Sequence, residues 1–507
     1  MNSFDHEVVV LGAGPAGSAA ATLLASRGHE VGLVRPNEPP AAALAESVPP
    51  SARRILDELG MLDAVDRAGF HPNQGNIVWW AGEASRREDF SAGEPGLHTD
   101  RAALEAVLVG VARSVGVRVY DGARVRSGEE ADDGWRLRCE TDSGTTTVRA
   151  PWVIDATGRR GVLARAEGRV GDTSTTTLAL VGRWRRPGGW PGGQAHHTLV
   201  ESHAEGWAWS VPLDGELRCF TAMIDQRSSG LTGADVSAML EIELAKTRHI
   251  GPGREGAVAE GAAWACPASL YSATRFARPG LLVAGDAGSF IDPLSSFGVK
   301  KALSSGWLAG VATHTALVDP PMAGVAVGFF DAREREVYRS YRAASAPFFE
   351  AAAARHGTTY WARRAEAARR AGATGSAEVG ATGAGQDLDG IAPTMPEPEV
   401  LRAFDEIRSR ESLAAVPGDT LRVVERPGID GHRIAPREHL VSDACPYGLR
   451  YVRGVDLTVL VAVAPRHADV PDGWSEYNRR AAPVTLPDYL TALATAFSAG
   501  FLEHGDG

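Results

Sequence analysis

Three short stretches of this 507-residue chain carry residue types whose spacing could do chemistry. The first is Gly12-x-Gly14-x-x-Gly17, with Ala16 inside it. Its first glycine makes a tight turn, the second lets backbone approach a pyrophosphate, and the third lets a helix close onto a strand. The phosphates would rest at a helix N-terminus, where unpaired N–H groups and the helix dipole favour negative charge. The second stretch is Val153-Ile154-Asp155-Ala156-Thr157-Gly158, an apolar run ending in a small-residue turn, with Asp155 and Gly158 as candidate contacts to the same ligand. The third runs from Leu282 through Gly285 and Asp286 to Phe290-Ile291-Asp292-Pro293-Leu294-Ser295-Ser296-Phe297-Gly298. Asp286 there can accept hydrogen bonds from a ribityl chain. Pro293, Gly298 and Val299 lead into a helix whose positive end would stabilise negative charge on a reduced flavin ring. Ser295 and Ser296 stand nearest that helix start and are the candidate catalytic side chains, although a turn and a cap use the same residues.

These residues need particular elements beneath them. An apolar run Val8–Leu11, an Ala/Leu-rich stretch to Arg27-Gly28 and a second apolar run from Val31 predict a βαβ unit of a doubly wound parallel sheet. Arg35 stands at the end of that second strand, where an acid would bind a ribose hydroxyl. An arginine there suits a 2′-phosphate, so NADP competes with FAD on the first motif alone; the flavin-type third stretch decides for FAD. Residues 51–62 and 100–114 read as helices, the latter leading into a strand at 117–119. The alternating stretch 175–264 reads as an antiparallel sheet walling the substrate side. The expected layout is a FAD-binding part at 1–174, a substrate sheet at 175–270, the rest of the FAD-binding part with helices at 271–374, a linker at 375–398 and a helical to α+β lobe at 399–507.

Composition narrows the function classes. A net charge of −11 with no basic block gives nucleic acid nothing to bind. Cys139, Cys219, Cys266 and Cys445 lie far apart without ligand spacing, so neither a disulfide framework nor a metal site is expected. Residues 1–7 lack a basic n-region and the next apolar run breaks at Gly12, which predicts no signal peptide, no membrane span and a cytoplasmic enzyme.

With the glycine turn, Gly285-Asp286, the element Gly206-Trp207-Ala208-Trp209-Ser210-Val211-Pro212 and the complete Phe290-x-x-Pro293-x-x-Ser296-x-Gly298, the chain resembles the flavin-dependent halogenases and their halogenase-like monooxygenase relatives from Val8 to Trp361. The resemblance implies an α/β fold: a Rossmann-type FAD domain of the glutathione-reductase and p-hydroxybenzoate-hydroxylase kind with a mixed or antiparallel substrate sheet. It places the Trp207/Trp209 pair near a tunnel between flavin and substrate; as core aromatics on one strand face they are equally well explained. It implies that Glu46 lies on a loop covering the flavin, with a helix cap as the alternative. Arg101 is implied to touch the FAD phosphates, with a surface helix charge as the alternative.

One departure redirects the chemistry. Halogenases of this kind use a lysine after the Glu46 loop, yet the only lysines here are Lys246, Lys300 and Lys301. Arginine stays protonated and cannot replace it as a nucleophile. The resemblance is then to lysine-free members. It implies a monooxygenase in which reduced FAD, supplied by a separate flavin reductase, forms a flavin hydroperoxide and oxidises an aromatic or amino-acid-derived substrate, free or bound to a carrier or peptide. Three alternatives stay open: a halogenase using another polar group, a flavoprotein that docks a partner protein through its C-terminal lobe and modifies it, and an alkene reductase of the geranylgeranyl reductase type. His196 and His197 are candidate acid or base residues, of which at most one faces the pocket, since neighbours on a strand point opposite ways.

Overall fold

Strand Val8–Leu11, helix Pro15–Ser26 and strand Val31–Arg35 form the expected βαβ unit, in register Val8 to Val31. The computed structural model describes residues 5–36, 45–82, 84–91, 93–132, 134–172, 175–227, 235–375, 398–410, 412–446 and 448–505. The linker expected at 375–398 falls outside them except at its ends, as does the side chain of Ser295. The first strand is the centre of a six-stranded sheet ordered Ala277–Arg278, Leu281–Val283, Trp152–Asp155, Val8–Leu11, Val31–Arg35, Arg118–Asp121. Its neighbours run parallel to it, and all four of its residues are fully buried. Such burial on both faces is why the strand reads as a continuous apolar run without alternation. All three motifs of the sequence therefore leave the same sheet at its carboxyl edge, where ligands of such folds bind.

A second, eight-stranded sheet is mixed. Thr177–Arg185, Leu217–Asp225, Gly206–Pro212 and His197–His203 are antiparallel neighbours, and Gly75–Trp79 adds to the last of these in parallel. Period-two alternation sorts its residues. Leu180, Leu199, Ala208 and Phe220 pack with Leu240 and Leu244 on one side, while Val181, Val200, Trp207, Val211 and Met223 share a core with Phe349 and Trp361 on the other. Two expectations need correction. The stretch 175–264 is not all sheet: helix Val236–Ala245 interrupts it, capped by the Asp235 carboxylate accepting from Ser237 N–H. The helix expected over 51–62 is a 3-10 turn, Pro50–Ala52, followed by Arg53–Glu58 and a separate Leu62–Arg67, broken where Gly60 takes φ +65°.

The chain divides into two compact units, Met1–Gly310 with Tyr341–Gly372, and Val311–Ser340 with Ala373–Gly507. The first holds both large sheets. The second is α+β. Its hairpin Arg422–Asp430 and Arg433–Val441 and its helices Leu457–Val463, Val470–Arg480 and Leu486–Ser498 accompany a core of its own around Leu457, Leu460, Tyr477, Tyr489 and Phe501.

Candidate functional site

The glycine turn leaves no room for side chains. Gly12 holds φ +93°, and a Cβ there would stand 2.5 Å from the carbonyl oxygen of Ala156; one on Gly17 would stand 1.8 Å from that of Gly12. The turn opens into a cavity of about 380 Å³ that Gly12, Gly14, Arg35, Gly158, Arg101 and Asp286 help to line. Ala16 does not line it; both Ala16 and Gly17 are buried against neighbouring backbone and small residues, including Gly306 and Gly285. Arg35 is half-exposed at the strand end, 3.6 Å from Asp121.

Asp155 requires a correction. It is fully buried and lines neither this cavity nor the next. Its carboxylate accepts from the N–H groups of Thr157 (3.0 Å), Leu163 (2.7 Å) and Ala164 (2.8 Å) and from the Thr157 hydroxyl (2.6 Å). The residue folds the loop that presents Gly158 and contacts no ligand space itself, because a buried carboxylate is retained only when its lone pairs are filled.

A second cavity, about 100 Å³, is lined by Glu46, Ser47, Thr198, Trp209, Asp292, Pro293, Ser296, Gly298 and Val299, among others. Arg101, Arg159 and Asp286 line both spaces. An extended ligand can therefore run from the glycine turn, past these three charges, to the start of helix Gly298–Val318. Arg101 begins helix Arg101–Ser114, whose N-cap Asp100 accepts from Ala102 N–H at 2.9 Å. Its guanidinium sits 3.3 Å from Glu46 and 3.2 Å from Glu105. Burial works against its charge, but Glu46, Asp286 and Glu105 outweigh that and hold it protonated more firmly than usual. Burial pushes the Glu46 carboxyl up, with Arg101 opposing. Glu46 is thus an ion-pair partner in the chamber wall rather than a cap.

Behind Asp286 lies Lys301, 1% exposed, donating to the carbonyls of Gly285 and Ser289 and 3.8 Å from the Asp286 carboxylate. Ser296 reaches φ +53°, which turns the chain into the helix. Asp292 precedes it, accepting from Leu294 N–H at 3.0 Å, and burial raises its pKa. The tryptophan pair divides its labour: Trp209 lines the chamber, while Trp207, 1% exposed, packs edge-on against it at 5.4 Å.

Neither candidate histidine lines the chamber. His196 stacks on His71 at 4.7 Å, and the buried His197 meets Asp89 at 2.8 Å. Sequence reasoning missed Arg159, Ser47, Thr198 and His98. Arg159, Ser47 and Thr198 each neighbour a candidate residue (Gly158, Glu46 and His197), but Ser47, Thr198 and His98 come together from three distant strands, which no local pattern announces.

A backbone cradle intolerant of Cβ atoms, a half-buried, ion-paired arginine where the two spaces meet and a helix start bounding the chamber together fit a flavin dinucleotide. No helix among the described residues is long and apolar enough to cross a membrane. A family model described as FAD binding domain matches residues 5–307. The tryptophan 2-halogenase of Chondromyces crocatus is 28% identical over 377 residues, 70% of this chain and 70% of that protein. The crystal structure of CmlS, a flavin-dependent halogenase, superposes with a TM-score of 0.76 at 20% identity, over 99% of this chain and 96% of that one. QhpG, a peptidyl tryptophan dihydroxylase essential for tryptophylquinone cofactor biogenesis, superposes at 0.64 with 22% identity, over 98% and 99%.

Proposed function

This chain belongs to the FAD binding domain family and is an FAD-dependent, halogenase-like enzyme, and from that premise we propose that it is a monooxygenase that hydroxylates an aromatic, amino-acid-derived substrate, with an indole ring, free or peptide-bound, as the leading class. One observation carries the choice of hydroxylation over halogenation: no lysine lines the chamber among the described residues. Lys246 is held by Glu205 and Glu243, Lys300 donates to Ser51, and Lys301 is buried behind Asp286. The names of the tryptophan halogenase and the peptidyl tryptophan dihydroxylase support the indole reading.

When bound and reduced, FAD would supply the two electrons with which molecular oxygen gives one atom to the substrate and the other to water. The chain's own residues do the rest. Arg101 and Arg159 stand where the two spaces meet and offset pyrophosphate charge. The N–H groups at Gly298 and Val299 face developing negative charge at the chamber. Trp209, Val211 and Met223 keep the chamber apolar and hold an aromatic ring in place. Ser296, which lines the chamber, is proposed to contact that ring's substituents. Electrons are proposed to come from a separate flavin reductase.

The test is incubation with chemically reduced FAD, labelled oxygen gas and tryptophan or a tryptophan-containing peptide, with and without bromide. The expected product carries one labelled oxygen and is unchanged by bromide. A bromide-dependent halogenated product would overturn the proposal in favour of halogenation.

A further inference from the structure

Four polar side chains that no motif announces form one hydrogen-bonded chain ending at the chamber wall. Ser47 Oγ lies 2.7 Å from Thr198 Oγ1, which lies 2.9 Å from His98 Nε2. Asn73 Nδ2 donates to Ser47 Oγ at 3.1 Å, and its orientation is set because Asn73 Oδ1 accepts from Gly75 N–H at 3.0 Å. His98 and Thr198 are fully buried and Asn73 is 1% exposed, whereas Ser47 and Thr198 line the chamber. Ser47 and His98 are register partners on neighbouring strands, so the spacing of the chain is fixed by backbone.

The direction of these bonds follows from His98 Nδ1. That atom is buried with no hydrogen-bond partner among the described residues. The ring stays neutral, since burial disfavours its charge and Arg218, His71, His197 and His196 add repulsion. A neutral imidazole carries one proton. Placing it on Nδ1 would leave a buried donor unmade, which proteins tolerate less well than an unfilled acceptor. The proton therefore sits on Nε2 and is donated to Thr198 Oγ1. The Thr198 hydroxyl then donates to Ser47 Oγ, which Asn73 also feeds. With both lone pairs filled, Ser47 has only its O–H left to offer at the chamber wall.

We propose that the Ser47 hydroxyl is a pre-aimed hydrogen-bond donor that binds an acceptor oxygen of the substrate, a carbonyl or a phenolate, and that Thr198 and His98 are the positioning residues that aim it. Thr198 shares the chamber wall with Trp209, Val211 and Thr221, on the sheet side, so the acceptor belongs to the substrate rather than to the dinucleotide. The inference rests on reading the chamber as the substrate's, but its first test does not depend on that reading. The neutral donor assignment also excludes His98 as a general base acting through Thr198.

Nitrogen NMR of histidine-labelled, FAD-loaded protein reads the tautomer, with the His98 signal assigned by its loss in His98→Asn. A neutral Nε2–H ring at pH 7 is expected, shifted in Thr198→Val. An Nδ1–H ring or an imidazolium would overturn the polarity. Binding of two isosteric probes, acetophenone and α-methylstyrene, read by perturbation of the oxidised flavin spectrum, tests recognition, because they differ in the carbonyl oxygen alone. The ratio of their affinities should fall about fivefold in Ser47→Ala and in Thr198→Val and persist in Ser47→Thr. A ratio indifferent to Ser47→Ala, or absence of binding by acetophenone, would overturn it. Normal tautomer with failed probe selectivity would condemn the substrate-acceptor role; failed flavin loading would condemn the cofactor reading.

Discussion

The two ends of the ligand groove are built by opposite means. The end at the glycine turn is made of backbone and absent side chains: Gly12 and Gly17 contribute by having no Cβ, and Asp155 contributes by folding a loop. The chamber end is made of side chains delivered by separate stretches, Glu46 and Ser47 from one, Thr198, Trp209 and Thr221 from three strands of a sheet, Asp292 and Ser296 from a turn. The first end fits a dinucleotide through backbone, and its tolerance is narrow. The second end is built from side chains, and single substitutions there should change selectivity before they change folding.

Predictions that strike the two ends unequally can break this contrast. The largest effect is expected from Gly17→Val, whose Cβ meets backbone: loss of retained flavin and destabilisation of at least about 3 kcal/mol in denaturant titration. Retention of yellow colour would mean that the cradle is softer than its geometry. Next is Lys300, 4% exposed on the first turn of helix Gly298–Val318, donating to Ser51 at 3.0 Å. Burial lowers its pKa to about 8, below the 10.5 of an unburied lysine. The unfolded chain then binds more protons between those values, so stability should rise as pH climbs from 8 towards 10, by up to about 3 kcal/mol. Lys300→Met should flatten that rise in thermal melts.

Arg101→Ala comes third. It strands Glu46, a partly buried partner, and is expected to cost about 2 kcal/mol and to weaken FAD about 30-fold in a fluorescence titration. Arg101→Lys should recover part of the charge and less of the geometry. Smallest, for the cofactor, is Trp209→Leu: FAD affinity should change less than about twofold while the KM for the aromatic substrate changes about tenfold. A Trp209→Leu protein that loses FAD would erase the distinction between the ends.

The same contrast explains what the sequence could disclose. The glycine turn, Gly158, Gly285-Asp286 and the Phe290 to Gly298 element are local patterns, each read within a dozen residues, and the structure puts Gly12, Gly14, Gly158, Asp286, Pro293 and Gly298 around connected space. Asp155 departs from its expected role because, in sequence, a carboxylate ending a strand looks alike whether it faces ligand or feeds its own loop. Glu46 and Arg101 were placed through family resemblance, and their mutual pairing needed the register of Ala45–Val48 against Gly96–Asp100. Ser47, Thr198 and His98 were silent because no one-dimensional pattern links positions brought together only by strand pairing. Helix Val236–Ala245 went unseen because the residues around it alternate like strand, and the apolar helix face does not interrupt that rhythm strongly enough.

The parallel docking of Gly75–Trp79 onto His197–His203 has a consequence for biogenesis. Strand Arg86–Asp89 can pair with one edge of Gly75–Trp79 almost at once, but about 120 residues separate Gly75–Trp79 from His197–His203, so a ribosome adding roughly 5–20 residues per second leaves its other edge open for several seconds to tens of seconds. During that interval Ile77 and Trp79, buried in the finished sheet, have no wall to cover them. Heterologous production should therefore be limited by capture of this nascent edge, and slower growth temperature or chaperone supply should raise soluble yield more than any stabilising change elsewhere.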